Sequence, residues 1–171
     1  MNRSCFCGKV NTSGAAFSAT LDFSEAVFRS DSTFEGCVFK DLVTASPVYF
    51  LESVTFSRSN FEDISNFKGS HWKGDTSFSE AVFKRLVEFS GATFEEPVGF
   101  DRTEFHESAG FSKTQFQSTP LFHSAKFMMG CNFGGSKFSE PPQFYSAEFH
   151  QDTSFFGASF QLGAMPPSEA A

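Results

Sequence analysis

The sequence predicts an all-β solenoid of very short strands. Three observations carry this reading: Phe recurs on a strict lattice, a small residue stands two places before almost every lattice position, and the amino-acid mix does not suit helices. The chain has 171 residues, of which 27 are Phe against 2 Tyr and 1 Trp. A solvating acidic tail would be poor in aromatics, and a helical bundle would lean on Leu, Ala, Glu and Lys. No apolar run approaches the ~20 residues that span a bilayer. The opening MNRSCFCGK has no apolar core of a signal peptide, so no export signal is expected there.

The lattice comes first, because internal periodicity decides the architecture. Phe23, Phe28, Phe34 and Phe39 open a series whose steps alternate five and six and which runs to Phe155 and Phe160. Ala45 and Trp72 take the two places where Phe is missing. The unit therefore spans eleven positions, of which the first and sixth are marked. Extended backwards, Phe17 and Phe6 fall on the sixth position, Thr12 and Met1 on the first. Residues 1–165 make fifteen units; 26 of the 30 marked positions are Phe, and Phe156 alone lies off the lattice.

A second column supports the first. Two residues before the sixth positions stand Ala15, Ala26, Cys37, Val48, Ser59, Ser70, Ala81 and their successors, all small or β-branched. The places two before the first positions, such as Val43, Val54, Ser65 and Thr76, are similar. A spacing of two puts both residues on one face of an extended segment, so a large and a small residue point inward together. A helix fails the same test. At 100° per residue, positions 1, 4, 6 and 10 scatter round the cylinder and form no stripe. Disorder would not hold a small residue before each Phe. A solenoid that turns a corner every five or six residues remains.

Fragments such as Phe89-Ser90-Gly91-Ala92-Thr93-Phe94 and Phe78-Ser79-Glu80-Ala81-Val82-Phe83 resemble the pentapeptide-repeat family. Its motif has a small residue at i−2, Leu or Phe at i, Ser or Thr next and often Gly after that. The likeness covers residues 1–165. It implies a right-handed quadrilateral parallel β-helix with i and i−2 inside. One departure is that every second unit has six residues, the extra one (Asp31, Leu42, Ile64, Pro97, Asp152) lying before its i−2 position. How two corners of each coil absorb it is left open.

Coil length follows separately. Eleven residues cannot enclose Phe rings, whereas 22 make four sides. Gly14 and Gly36, Gly69 and Gly91, Gly135 and Gly157, and Pro120 and Pro142 are each 22 apart. Fifteen units then give 7–8 coils and, at the ~4.8 Å strand spacing, a rod roughly 36 Å long. Each coil buries four rings, worth roughly 1.5–3 kcal/mol apiece before ordering entropy is set against them. Ala45 should leave a gap that Phe50, Trp72 or a shifted neighbour helps to fill. Thr12 and Met1 imply a loosened first coil. Residues 166–171 break the pattern and are expected to form a mobile tail. The ends would present unpaired strand edges, so they are expected to pair end to end with another copy, or the chain is a piece of something longer.

Formal net charge is −7 and the isoelectric point about 5.0. Such a chain is repelled by nucleic acid and by anionic lipid, so neither is an expected partner. Four cysteines (Cys5, Cys7, Cys37, Cys131) without an export signal imply free thiols in a reducing, cytoplasmic compartment. Cys5 and Cys7 flank Phe6 and should point outward; Cys37 and Cys131 take inward small positions. His71, His106, His123 and His150 fall outward, where solvent is expected to surround them. No nucleophile motif, phosphate-binding Gly loop or HExxH occurs, so no catalytic residue, cofactor or metal site is assigned.

Acidic residues recur at the eighth position of the unit: Asp41, Glu52, Asp63, Glu96, Glu107 and Glu140. With two units per coil, Asp41 stacks on Asp63, and Glu52, Glu96 and Glu140 share another edge. These six form the candidate partner-binding edge. Charge alternates along the chain, residues 22–63 and 88–107 each summing to −5, residues 64–87 to +2 and 108–138 to +3. The reading favoured is a non-enzymatic scaffold that shows a rigid rod surface to a protein partner. The alternative comes from the resemblance, since some pentapeptide-repeat proteins protect DNA gyrase from quinolones by mimicking duplex DNA. A duplex ~36 Å long would carry roughly 21 negative charges, three times the net charge here.

Overall fold

The computed structural model describes residues 4–161. Within them the chain forms 27 strands of two residues each. The first four set the plan: β1 (Cys5–Phe6), β2 (Val10–Asn11), β3 (Ala16–Phe17) and β4 (Leu21–Asp22). Each begins one wall of a four-sided tube, and the next strand of the same wall comes two units later. Cys5 pairs with Val27, Val10 with Ser32, Ala16 with Val38 and Leu21 with Val43, all in parallel. The four walls are parallel sheets of eight, six, seven and six strands, each in simple numerical order. The tube completes about seven coils. Residues 1–3, the last positions of the expected solenoid and the expected tail 166–171 lie outside the described residues.

Side-chain alternation explains the core. In each two-residue strand of walls one and three the second residue points inward; in walls two and four the inward residues flank the strand's outward second residue. Phe6, Phe28, Phe50, Trp72, Phe94, Phe116, Phe138 and Phe160 therefore form one column. Three more run through Phe34, Phe17 and Phe23. Successive rings of a column stack with centroids 4.5–5.5 Å apart and planes within 19°. That separation matches the spacing of parallel strands, so hydrogen-bonded walls and stacked rings share one pitch. Rings of adjacent walls meet edge-on, as Phe83 meets Phe89 at 6.3 Å and 90°, the arrangement the ring quadrupole favours.

Burial needs a coil on each side. The lattice rings from Phe28 to Phe138 are at most 3% exposed, whereas Phe6 at the first strand is 37% exposed. Phe17, Phe23, Phe149, Phe155 and Phe160 are half-buried. The first coil is thus less enclosed than the interior, as Thr12 suggested. Ala45 is wholly buried and interrupts the wall-four column. The Trp72 indole lies beside that column, edge-on to Phe67 at 5.7 Å and stacked on Phe50 at 4.9 Å.

The extra residue is absorbed at alternate corners. After walls two and four the chain turns tightly: the third residue of the unit takes a left-handed φ of 53–72°, from Gly14 through Glu25 and Gly36 to Gly157. The fourth residue's N–H then returns to the first residue's carbonyl, as from Ala26 to Phe23 (2.9 Å) and Ala92 to Phe89 (2.9 Å). This is the pattern of a type II turn, which suits Gly, although Glu25, Arg58, Lys113 and other non-Gly residues adopt it here as well. Pro47 takes this place once, after a cis peptide bond. After walls one and three the corner is wider, and the added residue feeds the ladder between coils. The carbonyls of Asp31, Leu42, Ile64 and Pro97 accept from Val10, Leu21, Val43 and Thr76.

Most hydroxyls two places before the sixth-position rings are satisfied across coils, whereas the buried Ser65 hydroxyl and Trp72 indole N–H have no partner. Ser59, Ser70, Thr103 and Thr114 occupy inward small positions, and each hydroxyl donates to a carbonyl 25 residues earlier, at 2.6–2.9 Å. Ser136 bonds Phe111 in the same way. The Cys37 thiol substitutes as donor, reaching the Thr12 carbonyl at 3.0 Å.

Candidate interaction surface

With the core filled by rings and by the small residues two places before them, the remaining side chains face out, and the outer surface is a grid. Columns run along the tube, one residue per coil. The six acidic positions fall on two diagonally opposite corners of this grid. Glu52, Glu96 and Glu140 lie on the corner after wall one, in alternate coils, with Gly74 and Ser118 between them. Asp41, Asp63 and Glu107 lie on the corner after wall three, interrupted by Arg85. The structure does not bring the six together.

The two corners differ chemically. Asp41 and Asp63 turn inward to their own backbone, each accepting the following N–H at 2.7 Å. Arg85 pairs with Glu107 at 2.9 Å. Glu52, Glu96 and Glu140 are exposed. Gly74 lies tight against the Glu52 backbone: a Cβ there would come within 2.5 Å of Glu52 C and Ser53 N. The corner after wall one thus offers a row of protruding carboxylates spaced by small residues.

Elsewhere opposite charges alternate along the columns. Lys9 meets Asp31 (2.9 Å), Glu62 meets Lys84 (3.0 Å), Glu80 meets Arg102 (3.1 Å) and Glu104 meets Lys126 (3.5 Å), each pair one coil apart. Glu35 pairs with Arg58. The hydrogen bond from His106, with Lys126 close by, holds Glu104 below the usual carboxylate range. The Ser24 N–H does the same for Asp22, and Asp31 raises Lys9. Exposed pairs contribute little individually, about 0.2–1 kcal/mol, but a column of them fixes which residues face which.

The histidines are outward, as expected, yet they are partnered and not simply solvated. His71 stacks on Tyr49 at 5.2 Å and 5°. His123 Nδ1 meets Asp101 at 2.7 Å, His106 meets Glu104 at 3.2 Å and His150 meets Asp152 at 3.5 Å. For two of them the reason is the coil repeat, which lays Tyr49 beneath His71 and Asp101 beneath His123, whereas Glu104 and Asp152 stand two residues from their histidines on the same coil. Cys37 and Cys131 are buried, and burial pushes the Cys131 thiol well up. Among the described residues no three His, Cys, Asp or Glu side chains converge as metal ligands. No helix there is long and apolar enough to cross a membrane.

Wall two carries a different surface. Thr33, Thr55 and Ser77 stack along it and bond to neighbouring hydroxyls, Thr55 to Ser57 at 2.9 Å and Ser57 to Ser77 at 2.8 Å. A shallow open hollow of about 470 Å³ lies over them. Sequence reasoning missed this hydroxyl row. Its signal was present at the eleventh position of the unit, where Asn11, Asp22, Thr33, Thr55, Asn66 and Ser77 each precede a turn.

Four parallel walls with identical register, ring columns inside and a column grid outside define a parallel β-solenoid repeat protein. A family model described as pentapeptide repeats (9 copies) matches residues 56–103. The same lattice continues on both sides of that span, and the match supports a pentapeptide-repeat assignment. No curated protein matches it.

Proposed function

We propose that the protein is a non-catalytic scaffold whose rigid rod presents outward side chains to a protein partner. The observation that carries this is the separation of roles within each unit. Inward positions are nearly uniform from coil to coil, whereas outward positions differ and are locked in rows by ion pairs and hydroxyl bonds. A stiff backbone with a varied, pre-ordered surface binds without losing much conformational entropy. The protruding row Glu52, Glu96 and Glu140 suits a basic partner surface.

Charge pairing weighs against duplex mimicry. A duplex offers unbroken rows of negative charge. Here Glu62, Glu80, Glu104 and Glu107 each face a cation.

The test replaces Glu52, Glu96 and Glu140 together by Lys, with circular dichroism as the control for folding. A partner bound by the parent and lost by the variant supports the acidic edge; equal binding removes it. Supercoiling by purified DNA gyrase, measured with and without the protein, tests the mimic directly. Protection of gyrase would overturn the scaffold reading in favour of the alternative.

A further inference from the structure

We propose that Cys5 and Cys7 form a reversible dithiol–disulfide site that exchanges with low-molecular-weight disulfides, Cys5 being the attacking thiol. Residues i and i+2 of a strand share a face, and here that face is outward. The two Sγ atoms lie 3.3 Å apart and both residues are exposed. A third group completes the cluster. Arg29 belongs to the next coil, held over the pair by its N–H bond to the Phe6 carbonyl at 2.9 Å. Its Nε donates to Cys5 Sγ at 3.3 Å.

The arrangement makes the two thiols unequal. Cys7, donating to Cys5, and then the Arg29 guanidinium hold Cys5 below the usual thiol range, while the same contact pushes Cys7 up. Cys5 is thus the better source of thiolate, the reactive form. Two strand residues span about 6.5 Å between Cα atoms, within the range that a disulfide bridges.

The chemistry balances as follows. Cys5 thiolate attacks one sulfur of a small disulfide RSSR, forming Cys5–S–S–R and expelling RS⁻, which takes up a proton. Cys7 loses its proton and attacks Cys5 Sγ, expelling the second RS⁻. The protein dithiol is oxidised by two electrons, RSSR is reduced to two RSH, and an excess of RSH reverses both steps. Cys37 and Cys131, both buried, serve as internal comparators.

The test exposes the full reduced chain to oxidised glutathione and follows it by mass spectrometry with peptide mapping. The parent should lose two hydrogens, confined to the peptide holding Cys5 and Cys7, and dithiothreitol should restore them. Cys7→Ser should stop at a mixed disulfide on Cys5. Cys5→Ser should react about tenfold more slowly than Cys7→Ser, and Arg29→Gln about threefold more slowly than the parent. Equal rates for the two single-cysteine variants, a stable glutathione adduct on the parent, or a disulfide between two chains would overturn the proposal. Circular dichroism of each variant separates loss of reactivity from loss of fold.

Discussion

The Ser59 hydroxyl donates to the carbonyl of Phe34, 25 residues earlier, at 2.6 Å. The same oxygen accepts the Cys37 N–H at 3.1 Å. One buried hydroxyl thus links two coils and leaves none of these groups without a partner. Ser59→Ala should remove both bonds and leave the Cys37 N–H and the Phe34 carbonyl only their mutual turn contact of 3.3 Å, at a cost of about 0.5–1.5 kcal/mol. Urea unfolding of the variant against the parent measures it, and an unchanged midpoint would show that the bond does not matter.

The ring columns predict a gradient of stability. Phe78 is fully buried, stacked between Phe56 and Phe100. Phe78→Ala should cost about 3–5 kcal/mol, as large-to-small core changes do. Phe17 has a stacking partner on one side, Phe39, and is half-buried. Phe17→Ala should cost less than half as much. Equal losses in chemical denaturation would contradict a stack whose terminal coils are weaker.

The tight corners predict a purely conformational effect. Gly91 has φ +70° and nothing within 4 Å of a built Cβ. Gly91→Ala should therefore cost about 1 kcal/mol through backbone strain alone. Lys113 holds the equivalent place at φ 57°, so Lys113→Gly should be neutral or stabilising. A gain on Gly91→Ala in thermal melts would mean that the corner is not held left-handed.

Acid should weaken the fold through Asp22 and Glu104. Both folded carboxyls lie below their usual range. Their contribution is present above the unfolded pKa values, about 4, and is lost as pH falls through the depressed folded values. Asp22→Asn keeps the acceptor for the Ser24 N–H, as Asn11, Asn66 and Asn132 do for theirs. The variant should match the parent near pH 7 and lose less stability on acidification. A steeper acid loss in urea titrations at graded pH would contradict this.

Much of this structure is legible in the sequence because inward positions carry nearly one residue type. Phe at the first and sixth places, with Ala, Ser or Val two before, needs only strand alternation to become four walls with two units to each coil. The six acidic positions separated onto two corners as their spacing requires. Corner conformation was harder to read. Glu25, Arg58, Glu80 and Arg102 take the same left-handed turn as Gly36 and Gly91, so the glycines alone understate it. The partners of His71 and His123 were also missed, since they lie one coil away and become visible only when outward residues are aligned coil on coil. The Cys5–Arg29 contact was hidden for the same reason.

The outer columns also restrict how such a rod can change length. The interior has no memory of which wall a ring belongs to, so removing a single unit would still leave benzyl groups facing benzyl groups. The exterior does keep count. Excision of residues 67–77 would carry Glu95 to the place above Glu62 now filled by Lys84, setting like charges against each other. Loss of a whole turn instead keeps each later side chain on its own column, and only pairs across the seam change, as Arg102 would then stand over Arg58 after excision of residues 67–88. The molecule is a ruler graduated in double units, because loss of a single unit carries every later outward side chain to the opposite wall while the rings still match.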